Sequence, residues 1–382
     1  MTKKYSIIIT VLFCLFIFGF GIAQFVVPDR DFSQQENRFL AQLPKLEIGD
    51  LKLGLLKSGN FFNGKFMEEF EDYITDQFPL RDGWIKLKAF CERAIGKKEN
   101  NGVYLGTDGN TLFPQYTTPS REDFDKKVGY VNKLGANVDV PVYFALIPDK
   151  SYVWANLLPK NAPLVDNGTA LKIAASLCSK DVNWIDLSQA FSGDQVFYRT
   201  DHHWSTIGAY QGYTALMQAM NGTSVKLDPN DLKEVSTDFF GTSYSSAGAG
   251  WVSPDTIHTW IEEGTFDVTW YHDGAPKPGK LYDTSKLEVK DKYSMFLGGN
   301  QPLCVIKNQQ VESGKLLVIR DSYCDSLAPF LGLDYSEVHL WDLRYNRMSL
   351  KAYVEQNGIT QVLVLYSNSN FATDANLPML GM

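Results

Sequence analysis

The sequence predicts an α/β protein: a mostly parallel five-stranded sheet with helices on both faces, behind an N-terminal membrane segment. Three observations carry that prediction. From about residue 120, continuous apolar runs alternate with segments of helical period, the pattern of a parallel sheet covered on both faces. The 382 residues are 44% hydrophobic and 21% charged, a globular composition on a chain long enough to bury a core. Behind Lys3 and Lys4, the uncharged run from Tyr5 to Val27 is long enough to cross a bilayer.

Basic residues stay on the cytoplasmic side of a membrane. The N-terminus is therefore expected inside and the bulk of the chain outside, as a single-pass protein of the cell membrane anchored through residues 5–27. Gly21-Ile22-Ala23 is a small-x-small cleavage site, and a cut after Ala23 would release a secreted chain. The run is long for a signal peptide, which favours an uncleaved anchor over residues 1–27. Residues 28–99 are expected to form a linker, DRDFSQQENRFLAQLPKL, and a helical region. There Phe62, Phe66, Phe70 and Tyr73 recur at spacings of three and four, with a break at Phe78-Pro79.

The α/β domain is placed at 100–382. It opens with NGVYLGTDGNTLF, a hairpin signal around Asp108-Gly109. Strands are expected near 140–148, 182–187, 315–320, 337–343 and 361–367. Helices are expected in REDFDKKVGYVNKLGANV, at 168–179, at 205–220 and in SLKAYVEQNG. Residues 222–314 break the rhythm and are expected outside the sheet, as an insertion near the site. That insertion contains the flexible-looking GTSYSSAGAG, a hairpin around Gly274, and Trp251, Trp260 and Trp270.

A net charge of -8 argues against phosphate backbones, so no nucleic-acid partner is expected. Cys91, Cys178, Cys304 and Cys324 lie beyond the membrane segment; they could form two disulfides in three pairings, or remain buried thiols. No CxxC spacing supports a thiolate zinc site.

Ligands of open α/β sheets collect beyond the carboxyl ends of the strands. Those ends present Asp149-Lys150, Asp321-Ser322-Tyr323, Arg344-Tyr345 and Ser367-Asn368-Ser369-Asn370, with TDHHW (200–204) one loop beyond VNWIDL. A serine at a strand-to-helix turn projects Oγ from the sheet edge, but needs a base that is itself oriented by a third group. Residues two apart in an extended segment point the same way, so Asp201 can orient His203 while His202 points elsewhere. A helix starting near Ser205 sets its positive end by His203 and disfavours the imidazolium, which Asp201 opposes. The structural alternatives are a helix-capping RDS turn and a packed histidine pair under Trp204. A metal held by Asp201, His202 and His203 is disfavoured because adjacent residues of a strand face opposite ways; no metal or other cofactor is expected. Lys150, Arg320 and Arg344 are candidate anion or sugar contacts.

TDHHW, YSMFLGGNQP, LLVIRDSYCDSLAPFL and WDLRY resemble the DHHW family of bacterial envelope proteins, related to the alginate O-acetyltransferase branch of SGNH hydrolases. NGVYLGTDGNTLF and YITDQFPLR resemble that branch's N-terminal signature, so the likeness covers nearly everything after the anchor. The resemblance implies an SGNH-hydrolase-like fold with a circularly permuted motif order. Asp201 and His203 match the branch's Asp-x-His pair, Ser322 its serine nucleophile, and His202 its unspecified middle position. Two departures stand out. RDS replaces GDS, putting Arg320 beside the nucleophile, and no GxND block is present. Asn368, Asn370 and Asn300 compete for the oxyanion role, with Tyr323, His202 and Trp204 as further substrate-side candidates. The function implied is an envelope-anchored O-acetyltransferase or acetylesterase acting on an extracellular polysaccharide or wall glycan. A membrane-bound O-acyltransferase is the implied partner. The alternatives are a non-catalytic glycan-binding or scaffold module of an export complex and, more remotely, a zinc hydrolase.

Overall fold

The computed structural model describes residues 3–46, 64–116, 120–163, 166–272 and 274–381. Phe62 lies outside the described residues. The chain divides into two compact units: Met1–Lys97 with Gly248–Gly250, and Lys98–Ala247 with Trp251–Met382.

In the first unit, helix α1 (Lys3–Val26) has a mean hydropathy of 2.6 over its most apolar stretch and is long and apolar enough to cross a membrane. It is consistent with a signal anchor or a signal peptide. Helices α2 (Lys65–Asp76) and α3 (Arg81–Ala94) follow, separated at Phe78-Pro79, where proline cannot continue a helix. Asp76 explains the acid in YITDQFPLR structurally. Its carboxylate accepts from both Arg38 Nη atoms, at 2.5 and 2.7 Å, and from the Ala41 amide at 2.9 Å, tying the linker to α2.

The second unit is built on one mixed sheet. Its strands are β1 (Val142–Ile147), β2 (Val182–Ile185), β3 (Asp267–His272), β4 (Ala275–Pro278), β5 (Leu303–Lys307), β6 (Lys315–Arg320), β7 (Glu337–Trp341) and β8 (Gln361–Ser367). They lie in the order β4-β3-β5-β7-β6-β8-β1-β2. The five strands read from the sequence are parallel neighbours from β7 to β2. The sheet nevertheless has eight strands, not five. β3, β4 and β5 come from the segment expected to lie outside it and extend it antiparallel through β5 on β7. The Gly274 hairpin is present as β3–β4, with His272 opposite Ala275. The extension has a tertiary cause: LCVIK is a short apolar run that pairs along the edge β7 would otherwise leave open.

Alternation along the strands sorts side chains to two faces. Phe144, Leu146, Leu317, Ile319, Val362 and Val364 meet α4 (Arg121–Asn137), α6 (Asn167–Leu177) and α10 (Leu350–Asn357) on one side. Ala145, Ile147, Leu316, Val318, Leu363 and Leu365 meet α7 (Thr206–Asn221) and α9 (Cys324–Leu331) on the other. Shorter elements include α5 (Lys150–Val153) after β1, α8 (Thr242–Ala247), α11 (Asn368–Thr373) after β8, the hairpin Val103–Leu105 with Leu112–Pro114, and the antiparallel pair Lys233–Phe239 with Asp255–Thr259. All five cysteines are free thiols, so none of the three disulfide pairings is present.

Candidate active site

TDHHW forms the tip of a narrow loop. Phe197 bridges to Trp204, the Tyr198 amide donates to His203 O, and the Ser205 amide donates to Val196 O. Ser205 then caps α7 by accepting from the Gly208 amide at 3.2 Å. The tip is buried, so its backbone groups need partners inside the protein. Lys150 Nζ donates to the carbonyls of Tyr198, Arg199 and Asp201 at 2.9, 3.2 and 2.6 Å. Asp255 accepts from the amides of Arg199 and Thr200 at 2.9 and 2.7 Å and from the Thr200 hydroxyl at 2.6 Å. An ammonium and a carboxylate thus hold the loop from its two polar sides.

That loop meets the turn between β6 and α9. His203 Nε2 lies 2.8 Å from Ser322 Oγ, and His203 Nδ1 lies 2.6 Å from Asp201 Oδ1. Ser322 is half-buried, whereas Asp201 and His203 are buried. Asp201 Oδ1 also accepts from the His203 amide at 2.9 Å; Oδ2 accepts from the Thr242 amide at 2.7 Å and its hydroxyl at 3.0 Å. Burial works to raise the Asp201 carboxyl, but the two imidazoles and these hydrogen bonds outweigh it and hold the group well below the usual carboxylate range. An ionised Asp201 fixes the proton of His203 on Nδ1 and leaves Nε2 as an acceptor facing the serine hydroxyl.

Two contacts complete the cradle. The Tyr293 ring stacks on His203, with centroids 3.8 Å apart and planes at 7°, and its hydroxyl donates to Ser322 O at 3.0 Å. Gly241 leaves space for Asp201: a Cβ there would lie 2.2 Å from Asp201 Oδ2 and 2.3 Å from its Cβ.

Residues 178–341, which contain this loop and turn, match the family model described as DHHW protein. The chain is a DHHW family protein. It is distantly related to the probable alginate O-acetylases AlgJ. Identity to the Pseudomonas aeruginosa protein is 28% over 159 residues, covering 38% of this chain and 40% of that one. Identity to the Pseudomonas putida protein is 25% over 182 residues, covering 43% and 45%. The chain thus spans less than half the length of the curated relatives it matches. Among solved structures, a DHHW family protein from Eubacterium siraeum superposes with a TM-score of 0.62 at 22% identity, covering 74% of this chain and 95% of that one. Bacillus cereus PatB1 with a sulfonyl adduct superposes with a TM-score of 0.60 at 20% identity, covering 73% and 97%. These likenesses establish a shared α/β fold.

The remaining sequence candidates of this DHHW protein fall in different places. A cavity of about 280 Å³ opens beside Ser322, lined by Arg320, Arg344, Tyr366, Asn370 and Asp374. Arg344 holds the buried Asp342 carboxylate through Nε and Nη2, at 2.9 and 2.6 Å, and its side chain remains 42% exposed. Asn370 Nδ2 donates to Asp321 Oδ2 at 2.8 Å. Asn368 is buried against Asn167, and Asn300 accepts from Arg320. Arg320 is buried in an ion pair with Asp325 at 2.8 Å, a structural pairing in place of an anion contact. Trp204 is fully buried and donates to Tyr323 O at 2.8 Å, while the Tyr323 hydroxyl donates to His202 O at 2.6 Å. Both therefore brace the loop against the turn. A larger cavity of about 810 Å³ borders the same loop through Tyr198, Arg199 and Ser205, but Ser322 does not line it.

Lys150 is also corrected from a ligand contact to a loop tether. Burial pushes its ammonium down to about 8, and three N–H groups match three carbonyls. Lys150→Met is expected to lower unfolding free energy by about 2–4 kcal/mol, because orphaned buried carbonyls cost ~1–3 kcal/mol each. Chemical denaturation with an unchanged m-value would check it; wild-type stability would contradict it.

His202 does not point away from His203 as the strand geometry suggested. The two rings pack with centroids 3.8 Å apart, because residues 201–203 form a bend and not a pleated strand. His202 Nδ1 lies 2.8 Å from Thr242 Oγ1, whose proton is directed to Asp201, so Nδ1–H of His202 is the donor. Burial, then His203, push the His202 imidazole down to about 3, leaving it neutral at pH 7. The bend also brings one ligating atom each from Asp201, His202 and His203 within 4.8 Å of one another. A cation there would compete with the four hydrogen bonds that Asp201 accepts. Sequence reasoning missed Tyr293, Gly241, Thr242 and Asp255, all within the segment read as an insertion.

Proposed function

We propose that this chain is an envelope-anchored O-acetyltransferase or acetylesterase acting on an extracellular polysaccharide or wall glycan. The observation that carries the reading is the continuous hydrogen-bonded line from Asp201 through His203 to Ser322. Relatives described as probable alginate O-acetylases support the acetyl chemistry, and α1 supports attachment to the membrane. A membrane-bound O-acyltransferase is the proposed source of acetyl groups.

In this reading Ser322 Oγ attacks the acetyl carbonyl while its proton passes to His203 Nε2. Asp201 stabilises the imidazolium that forms. Collapse of the tetrahedral intermediate breaks the bond to the donor oxygen, which leaves with the proton from Nε2. A sugar hydroxyl, or water in an esterase, then attacks acetyl-Ser322 and gives its proton to Nε2; collapse breaks the acetyl–Oγ bond, returns that proton to Ser322 Oγ and releases the acetylated sugar or acetate. Asn370 and Arg344, which line the cavity at Ser322, are proposed to face the developing oxyanion or the glycan. The second reading, a glycan-binding module, is favoured only by the exposed guanidinium of Arg344.

A serine-reactive fluorophosphonate probe separates the two. Labelling is expected in the wild type and lost in both Ser322→Ala and His203→Ala. Glycan binding without labelling would overturn the enzyme reading. Gly241→Ala is a further test, since its Cβ displaces the Asp201 carboxylate. Acetyl-ester turnover is expected to fall about 10²-fold, the cost of roughly an ångström of misplacement, with the thermal melt still cooperative. Wild-type kinetics in Gly241→Ala would exclude this positioning role.

A further inference from the structure

Helix α3 has its apolar side facing outward. At 100° per residue, Leu80, Trp84, Leu87, Phe90, Cys91 and Ile95 fall within an arc of about 140°. All six are exposed, Ile95 to 84% and Phe90 to 58%. Ala89, on the opposite side, is buried. Among the described residues, the much larger second unit exposes only Val225, Val289, Tyr345 and Met348 of its large hydrophobic side chains. The α3 stripe is therefore a concentrated feature and not the usual scatter.

Two observations identify what covers it. First, the stripe joins the membrane helix. Phe20, less than two turns from the end of α1, stacks on Phe78 with centroids 5.5 Å apart and planes at 3°, and meets Trp84 at 5.7 Å. Tryptophan at that depth is characteristic of the membrane–water boundary. Second, basic residues edge the stripe on both sides: Lys88 beyond Ile95, and Lys86 and Arg93 beyond Phe90.

We propose that α3 lies in the outer surface of an anionic bilayer, its apolar stripe among the lipids beside the exit of α1. The inference rests on the anchor reading of α1 and is independent of the chemistry at Ser322. An amphipathic helix in this position adds a second, peripheral attachment to the transmembrane one.

Cys91 supplies a native reporter on the stripe. Full-length Cys14→Ser, Cys178→Ser protein, whose other thiols are buried, is labelled at Cys91 with an environment-sensitive fluorophore. It is then reconstituted into phosphatidylethanolamine–phosphatidylglycerol vesicles. Shallow nitroxide-labelled lipid is expected to quench most of the signal and aqueous iodide little of it. The order is expected to reverse for a label at Arg93→Cys in the Cys91→Ser background. Leu87→Gln with Phe90→Gln, both at exposed positions, is expected to return the Cys91 label to iodide access. Replacing phosphatidylglycerol with phosphatidylcholine is expected to weaken lipid quenching; unchanged quenching would overturn the anionic requirement. Iodide access at Cys91, or shielding from both quenchers by a protein partner or second copy, would overturn the inference. Intact mass on the same sample reports α1. With α1 retained, such a failure leaves the anchor standing, whereas an N-terminus at Gln24 overturns both.

Discussion

His203→Ala is expected to lower acetyl-ester turnover by about 10⁶-fold, while His202→Ala costs roughly tenfold or less. The two residues are adjacent, and their rings touch, so composition and position alone predict similar effects. Their hydrogen bonds separate them. Only His203 faces Ser322 Oγ, at 2.8 Å, with its other nitrogen on Asp201 at 2.6 Å. His202 reaches Thr242 and packs against His203, a supporting position that a small side chain loosens but does not abolish. Steady-state kinetics on a chromogenic acetyl ester, with Ser322→Ala as the floor, provide the check. Equal losses for the two histidines would remove the distinction between base and neighbour.

Asp201→Asn is expected to reduce turnover by about 10⁴-fold with the fold retained. Both carboxylate oxygens accept a backbone amide, that of His203 at Oδ1 and that of Thr242 at Oδ2. An asparagine must therefore set its NH₂ against one of those N–H groups in either orientation. Turned toward His203, it also requires Nδ1 to accept, which moves the imidazole proton to Nε2. A protonated Nε2 cannot take the proton of Ser322. An accompanying loss of about 1–3 kcal/mol in stability is expected from the mismatched amide. Activity within tenfold of wild type would show that Asp201 does not set the tautomer.

The parts of this architecture encoded locally were legible in the sequence. KLLVIR, EVHLW and QVLVLYS each form a strand where apolar continuity predicts one, and the turn after KLLVIR carries Ser322 beyond the strand's carboxyl end. Asp201 and His203 do meet, Nδ1 to Oδ1 at 2.6 Å, but through a bend and not through the i, i+2 strand geometry expected. What was illegible depends on distant chain. LCVIK has too few residues to distinguish a sheet strand from a buried loop, and its place beside β7 is fixed by antiparallel pairing with distant chain, from Leu303 opposite Trp341 to Lys307 opposite Glu337. Lys150 reads as an anion or sugar contact only from its place after a strand end; the three carbonyls converging on Nζ assign it to the loop. GTSYSSAGAG reads as flexible by composition, yet Gly241 and Thr242 are selected by close approach to Asp201. A local signal for Tyr293 did exist in YSMFLGGNQP, but nothing in that run specifies stacking on an imidazole 90 residues earlier.

The most direct test of the central claim is to trap the acyl-enzyme. Full-length protein mixed with excess activated acetyl ester, quenched in acid within the first turnover, is digested and mapped by mass spectrometry. One acetyl group per chain on Ser322 is expected, absent in Ser322→Ala and accumulating far more slowly in His203→Ala. Turnover that persists with no acetyl on Ser322, or an acetyl group carried by another residue in an active enzyme, would contradict it.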